Sequence, residues 1–267
     1  MSEPTALLKL AVEAAIEAGE LIRDRRDAVA RMAVSATKST STDVVTESDT
    51  AAEALIRERL QRARPEDAIL GEEGGWSDGG SGVRWLVDPI DGTVNYLYGI
   101  PQYAVSIAAL RDQDAVAGVV HNPASGETWT ATRGGGAYLN GEPIHESGCD
   151  RLELALVATG FGYDPARRAR QAAVLQHVLP SVRDIRRVGA ASLDLCAVAM
   201  GRVDGYYERG LGPWDLAAGA LIAEEAGAVV GGLAGAEAGS ELVIAAGPAL
   251  FAALHDLLAP LRPDRDV

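Results

Sequence analysis

The chain has 267 residues, about 1.8 domains at roughly 150 residues each, which predicts a two-lobed unit. Its 48% of hydrophobic residues is the ordinary globular value and excludes disorder. Against 38 Asp plus Glu stand 24 Lys plus Arg, a formal charge of -14. Such a surface repels phosphate backbones and anionic lipid, so no nucleic-acid or membrane partner is expected and any anionic ligand must be held locally.

Leu7, Leu8, Val12, Ala15, Ile16, Leu21 and Ile22 recur at three-to-four spacing and predict an amphipathic helix from Pro4 to about Ala30. A polar run, Ser35 to Thr42, follows. Ala52, Leu55, Ile56 and Leu60 predict a second helix, which Pro65 stops. Short apolar runs at Ala68 to Leu70, Trp85 to Val87, Ala104 to Leu110, Val116 to Val120 and Thr128 to Thr132 then read as a sheet. Ser77 to Val83 reads as a flexible insertion, and Glu146 to Arg151 as the boundary between lobes 1–148 and 149–267. Beyond it, strand-like Ala155 to Thr159, Val203 to Tyr207 and Leu242 to Ala245 alternate with helical Ala166 to Val178, Ser192 to Met200, Trp214 to Ala226 and Ala249 to Leu258. That alternation predicts α/β layering, with Gly231 to Ser240 as a surface loop.

His121, His145, His177 and His255 have no zinc-ligand spacing, and Cys149 and Cys196 are far apart in a chain too large to need a disulfide. A reduced, cytoplasmic protein without zinc chemistry is expected. The N-terminal apolar stretch is interrupted by Glu3, Lys9, Glu13 and Glu17, which argues against a signal segment.

The chemistry concentrates in Trp85-Leu86-Val87-Asp88-Pro89-Ile90-Asp91-Gly92-Thr93-Val94-Asn95. A buried-type strand runs into two carboxylates three residues apart, with Pro89 restricting one φ and Gly92 permitting a sharp turn. Asp88, Asp91 and the Ile90 carbonyl can then face one point, as hard oxygen donors suited to Mg²⁺. Gly92 and Thr93 would open a short helix whose free N–H groups seat a phosphate. An Asp-Gly turn with solvated acids is the alternative. Glu72 and Glu73 follow a short strand, where sheets of this kind place ligand sites, or else are simply solvated. Thr46 to Asp49 fits a capping box ahead of the second helix, and Asp215 sits where a helix dipole favours a carboxylate.

Together these segments resemble the inositol monophosphatase family of Mg²⁺-dependent, lithium-sensitive sugar phosphatases. The likeness rests on Asp43 and Val44 through Asp49; Gly71, Glu72, Glu73; Asp88 to Asn95; and Trp214, Asp215, Ala217 to Gly219 with Glu225 to Gly227. The resemblance implies an α/β (α+β) fold, an alternating α-β-α-β-α sandwich, usually dimeric, with two or three Mg²⁺ ions per site. It implies that Asp88 bridges two metals, that Glu72 and the Ile90 carbonyl complete the first, and that Asp91 and Asp215 complete the second. Glu73 would lie outside this set or help hold a third ion. Glu72 and Thr93 would orient the attacking water, Asp49 would hold the Thr93 hydroxyl, and Gly92 and Thr93 would seat the phosphate.

Asp91, Ala191 and Glu208 match positions that contact the inositol ring in the family. Inositol 1-phosphate or a similar small polyol phosphate is therefore the expected substrate. Histidinol phosphate, a sugar bisphosphate or a phosphonucleotide are alternatives on the same fold. Gly212 lacks the polar side chain that relatives often carry there, and Lys38, Arg186, Arg187 and Arg209 have no assigned role. A non-catalytic regulatory binding protein is the reading from another class, disfavoured because every metal-ligand position still carries its acid.

Overall fold

The computed structural model describes residues 2–28, 36–37 and 44–265; Lys38 and Asp43 lie outside them. In chain order the elements are α1 (Glu3–Ala28), β1 (Ala36–Thr37), β2 (Val44–Val45), α2 (Glu47–Ala63), β3 (Ala68–Gly71), β4 (Gly75–Ser77), β5 (Val83–Asp91) and α3 (Thr93–Tyr98). Then come β6 (Ala104–Arg111), β7 (Asp114–Asn122), β8 (Glu127–Thr132), β9 (Ala137–Leu139), β10 (Glu142–Pro143), β11 (Leu156–Thr159) and α4 (Pro165–Val178). The chain closes with β12 (Asp184–Arg186), α5 (Ala191–Ala199), β13 (Gly205–Glu208), α6 (Pro213–Glu225), β14 (Val229–Gly231), β15 (Val243–Ala246) and α7 (Pro248–Leu258).

Eight strands form one sheet in the order β10-β9-β8-β7-β6-β5-β3-β4, antiparallel except where β3 meets β5. Five form another in the order β12-β11-β13-β15-β14, in which β11 runs parallel to both neighbours. β1 and β2 make a separate antiparallel pair.

Strand periodicity divides the core. Val83, Trp85 and Val87 of β5 and Val105, Ile107 and Ala109 of β6 face α1 and α2, where Leu7, Ala11, Ala18, Ile56 and Leu60 are buried. The alternate residues, Leu86, Ala104, Ala108 and Leu110, turn toward α5 and α6 and bury Leu195, Ala218 and Leu221. The opposite side of those helices covers Ala158, Tyr206, Val243 and Ala245 of the smaller sheet. That sheet's far face, Val157, Tyr207, Ile244 and Ala246, packs on Val174 and Val178 of α4 and Leu250 and Leu254 of α7. The layers are therefore α, β, α, β, α, as expected.

Differences from the sequence reading fall on short elements at or near the sheet edges. β4, β9, β10, β12 and β14 are two or three residues long and carry too little alternation to stand out from loops. The stretch from Ser77 to Val83, expected to be flexible, is tied down. Gly80 and Ser81 donate their N–H groups to the Glu66 carbonyl at 2.7 and 3.0 Å, and the Ser81 hydroxyl donates to Asp67 Oδ1 at 2.5 Å. Gly231 to Ser240, expected to be a loop, includes the end of β14 and a single 3-10 turn at Leu233–Gly235.

Candidate active site

The end of β5 builds the centre. Asp88 lies opposite Ser106 of β6 and Asp91 opposite Ala104, so β5 advances three residues while β6 advances two. The extra residue is a bulge. In a regular strand positions three apart point to opposite faces; the bulge turns both carboxylates to the same side. The Ile90 N–H donates to Asp88 Oδ1 at 3.0 Å and fixes that carboxylate. Gly92 then takes φ +89°, a left-handed conformation that other side chains resist, and α3 begins at Thr93.

Neighbouring elements bring in the remaining acids. The Glu72 N–H donates to the Val87 carbonyl at 3.1 Å, which seats Glu72 beside Asp88 where β3 runs parallel to β5. The Ser106 hydroxyl donates to the Trp214 carbonyl at 3.2 Å and docks the start of α6 against β6. Asp215, in the first turn of α6, accepts the Gly212 N–H at 2.7 Å. A side chain at Gly212 would collide with the Trp214 ring, since an added Cβ would lie 2.7 Å from it.

Asp88, Asp91 and Asp215 thus each offer an oxygen within 4.8 Å of the others. They open on a cavity of about 400 Å³ that Glu72, Ile90, Gly92, Thr93, Ala191 and Glu208 also line. Asp49 lies behind that wall, and its Oδ1 accepts the Thr93 hydroxyl at 3.0 Å. The Ile90 carbonyl is also 3.0 Å from that hydroxyl. Asp49 is at the same time the capping box of α2: its Oδ2 accepts the Thr46 N–H and hydroxyl at 2.8 and 2.5 Å. Glu73 is not in the cavity lining, and its N–H donates to Glu53 Oε2 at 2.7 Å.

Electrostatics in this pocket are unfavourable without a counter-charge. Burial, then the Glu72, Asp91 and Asp215 charges, push Asp88 well above the usual carboxylate range. Burial, then Asp91 and Glu72, does the same to Asp215. Asp91 is pushed up to about 6 by burial, against the pull of its Ser192 donors. Two unit negative charges about 4 Å apart cost roughly 4 kcal/mol at an effective dielectric of about 20. A buried, all-oxygen donor set under this repulsion fits a hard divalent cation and has no ligand for a soft one. Glu208 is pushed up to about 7 by burial, while the Tyr206 hydroxyl, donating at 2.7 Å, and the Arg187 charge oppose the shift.

Three contributors went unnoticed in the sequence. Ser192 donates both its N–H, at 2.7 Å, and its hydroxyl, at 2.5 Å, to Asp91 Oδ2, and the Ala191 N–H reaches Oδ1 at 3.2 Å. Ser106 is an ordinary polar residue in an apolar strand run until its partner on α6 is known. Glu53 is buried and accepts the Glu73 and Gly74 N–H groups at 2.7 and 2.8 Å while pairing with Arg57 Nε at 2.6 Å. An acid between Ala52 and Ile56, on the apolar face of α2, was the available signal for Glu53.

Among the described residues no helix is long and apolar enough to cross a membrane. The family model described as the inositol monophosphatase family matches residues 3–265. An inositol-1-monophosphatase of Mycobacterium leprae is 46% identical, over 97% of this chain and 98% of that one. A Pseudomonas aeruginosa protein named Nus factor SuhB is 41% identical, over 96% and 97%. Among solved structures, the extragenic suppressor protein suhB of Bartonella henselae superposes with a TM-score of 0.90 at 38% identity, covering 95% of this chain and 98% of that one. Mycobacterium tuberculosis SuhB superposes with a TM-score of 0.85 at 45% identity, covering 99% and 100%.

Proposed function

Because the chain belongs to the inositol monophosphatase family, we propose that it is a Mg²⁺-dependent phosphomonoesterase that hydrolyses inositol 1-phosphate or a similar small polyol phosphate. The observation that carries this reading is the meeting of Asp88, Asp91 and Asp215 within 4.8 Å, beside Glu72 and Thr93 in one cavity. Asp88, Glu72 and the Ile90 carbonyl would hold one Mg²⁺, and Asp88, Asp91 and Asp215 a second, with Glu73 toward a third. When bound, such ions neutralise charge on the phosphate and the departing alkoxide and lower the pKa of water.

The side chains do the positioning. With its proton given to Asp49, the Thr93 hydroxyl presents a lone pair to the attacking water. Glu72 accepts a second proton of that water and directs its oxygen at phosphorus. Gly92 and Thr93 offer N–H groups to the phosphate oxygens at the start of α3. The new P–O bond forms as the ester P–O bond opposite it breaks, the departing alkoxide takes a proton from a second water, and the hydroxide so formed recovers the proton that Glu72 accepted. Glu208 and Asp91 accept hydroxyl hydrogen bonds from the polyol, across a wall completed by Ala191.

The test is inorganic phosphate release from inositol 1-phosphate with Mg²⁺, run beside histidinol phosphate, fructose 1,6-bisphosphate and a 3′-phosphorylated nucleotide. Activity is expected with Mg²⁺ and none after EDTA. Asp88→Asn should fall below a tenth of wild-type kcat, a barrier increase above about 1.4 kcal/mol. Full turnover in metal-stripped protein would sink the reading. A homodimer in the cytoplasm is part of the proposal, checked by light scattering during gel filtration. The relatives named Nus factor SuhB favour a second reading, a non-catalytic binding role, which gains ground if no phosphate ester in the panel is hydrolysed.

A further inference from the structure

Glu53 is an acid on the apolar face of α2 to which the chemistry above gives no role. It is 2% exposed, and with Asp49 one helical turn earlier it faces inward beside Ala52, Ile56 and Leu60. Asp49 reaches Thr93, whereas Glu53 reaches the turn that joins β3 to β4 and carries Glu72.

Three donors converge on the Glu53 carboxylate. Its Oε2 accepts the Glu73 N–H at 2.7 Å, and its Oε1 accepts the Gly74 N–H at 2.8 Å and Arg57 Nε at 2.6 Å. The Glu72 N–H goes to the Val87 carbonyl at 3.1 Å, so three successive N–H groups of the turn are engaged, one by β5 and two by Glu53. Arg57, one helical turn further along α2, also donates Nη2 to the Gly75 carbonyl. The turn makes room for this carboxylate with glycines: an added Cβ at Gly71 would lie 2.2 Å from Glu53 Oε1, and one at Gly74 would lie 2.6 Å from it.

A buried acid costs free energy, and an apolar side chain would continue the inner face of α2 without that cost. What the acid adds is a charge-assisted grip on two backbone groups beside Glu72. Groups that hold a metal ligand in place from behind commonly change affinity or activity by roughly 10- to 100-fold. We propose that Glu53 is a positioning residue, which fixes the turn carrying Glu72 and, with Asp49 on the same face of α2, makes that helix the single rigid element aligning Glu72 and Thr93 on the attacking water. This deepens, and rests on, the phosphatase reading above.

Calorimetric titration of the substrate-free protein with Mg²⁺, beside steady-state kinetics on inositol 1-phosphate, tests it. Glu53→Gln keeps the size but replaces one acceptor oxygen by an NH₂ group, which in either orientation faces the Glu73 or the Gly74 N–H. Gly74→Ala crowds the same carboxylate from an exposed position on the turn. Each is expected to weaken Mg²⁺ binding at least threefold and to lower kcat at saturating Mg²⁺ more than it raises KM, while Glu58→Gln, an exposed acid of the same helix, changes neither. In a Glu72→Gln background, Glu53→Gln should leave the remaining Mg²⁺ affinity unchanged, because the ligand it positions is gone. Circular dichroism confirms folding, and if Glu53→Gln does not fold, Gly74→Ala decides alone. A weakening of less than threefold in the folded variants, or one undiminished in the Glu72→Gln background, overturns the positioning role. Wild-type protein that releases phosphate from no ester in the panel overturns the phosphatase reading instead, and the Mg²⁺ titrations still decide the role of Glu53 without turnover.

Discussion

Thr93 has one hydroxyl proton and two acceptors at 3.0 Å, Asp49 Oδ1 and the Ile90 carbonyl. If the carbonyl is turned to a cation, the proton goes to Asp49 and the lone pairs face the cavity. Thr93→Val is then expected to lower kcat more than it raises KM, because the hydroxyl orients the nucleophile and not the bound ester. Steady-state kinetics on inositol 1-phosphate decide this, and the opposite pattern would reassign Thr93 to substrate binding. Ser192 acts one step further out, through two of the donors that hold Asp91. Removing the hydroxyl leaves the two backbone donors in place, so Ser192→Ala should raise the Mg²⁺ concentration for half-maximal activity severalfold. A loss of about 1 to 2 kcal/mol of carboxylate positioning corresponds to that change. Calorimetric titration with Mg²⁺ supplies the independent readout, and an unchanged affinity would make Ser192 purely structural.

At the level of the element, the bulge at the end of β5 decides whether two acids cooperate. Without the extra residue Asp91 would face away from Asp88, and no adjustment of side-chain rotamers could restore the pair. Gly92 closes this bulge at φ +89°, and an added Cβ there would lie 2.9 Å from the Gln102 carbonyl oxygen. Gly92→Ala therefore meets both backbone strain and a clash with backbone, and should destabilise the fold by about 2 kcal/mol or more. At this chain length that lowers Tm by roughly 4 to 8 °C. Thermal unfolding without Mg²⁺ measures it free of metal effects, and an unchanged Tm would mean the turn is not under the constraint described. Loss of phosphatase activity should accompany the change, since the same turn sets both the carboxylate pair and the start of α3.

Across the whole molecule, the site joins both sheets and its charge acts on the stability of the entire fold. Asp91 is pushed from 3.8 to about 6, and burial and mutual repulsion raise Asp88 and Asp215 as well. An acid with a raised folded-state pKa binds protons in the folded state over the window between its ordinary and its raised value. The metal-free fold therefore loses stability as pH rises through that window. Mg²⁺ requires the ionised acids and competes with those protons, so its stabilising effect should grow as pH rises. The increase in Tm on adding Mg²⁺ is expected to be larger at pH 8 than at pH 5.5, measured by scanning calorimetry. An equal increase at both values would remove the carboxylate cluster as the binding site.

What the residues determine alone is local or periodic. Thr46 to Asp49 already forms a complete capping box, because that motif needs only its own four residues. Asp88 to Thr93 contains its own proline, glycine and turn. The alternation of Trp85 and Val87 against Leu86 sorts side chains between two cores without any knowledge of their partners. The tertiary structure decided whatever depends on the meeting of distant segments. Asp215 joins Asp91 because α6 packs on the larger sheet, where Ser106 of β6 also holds its first turn, and Ser192 reaches Asp91 across 101 positions of chain. Arg186 and Arg187 are chemically identical neighbours, yet one pairs with Asp184 outside and the other lines the cavity. No composition or spacing distinguishes them. The direction in which the chain leaves β12, and the packing of α5 between two sheets, select which guanidinium faces the site.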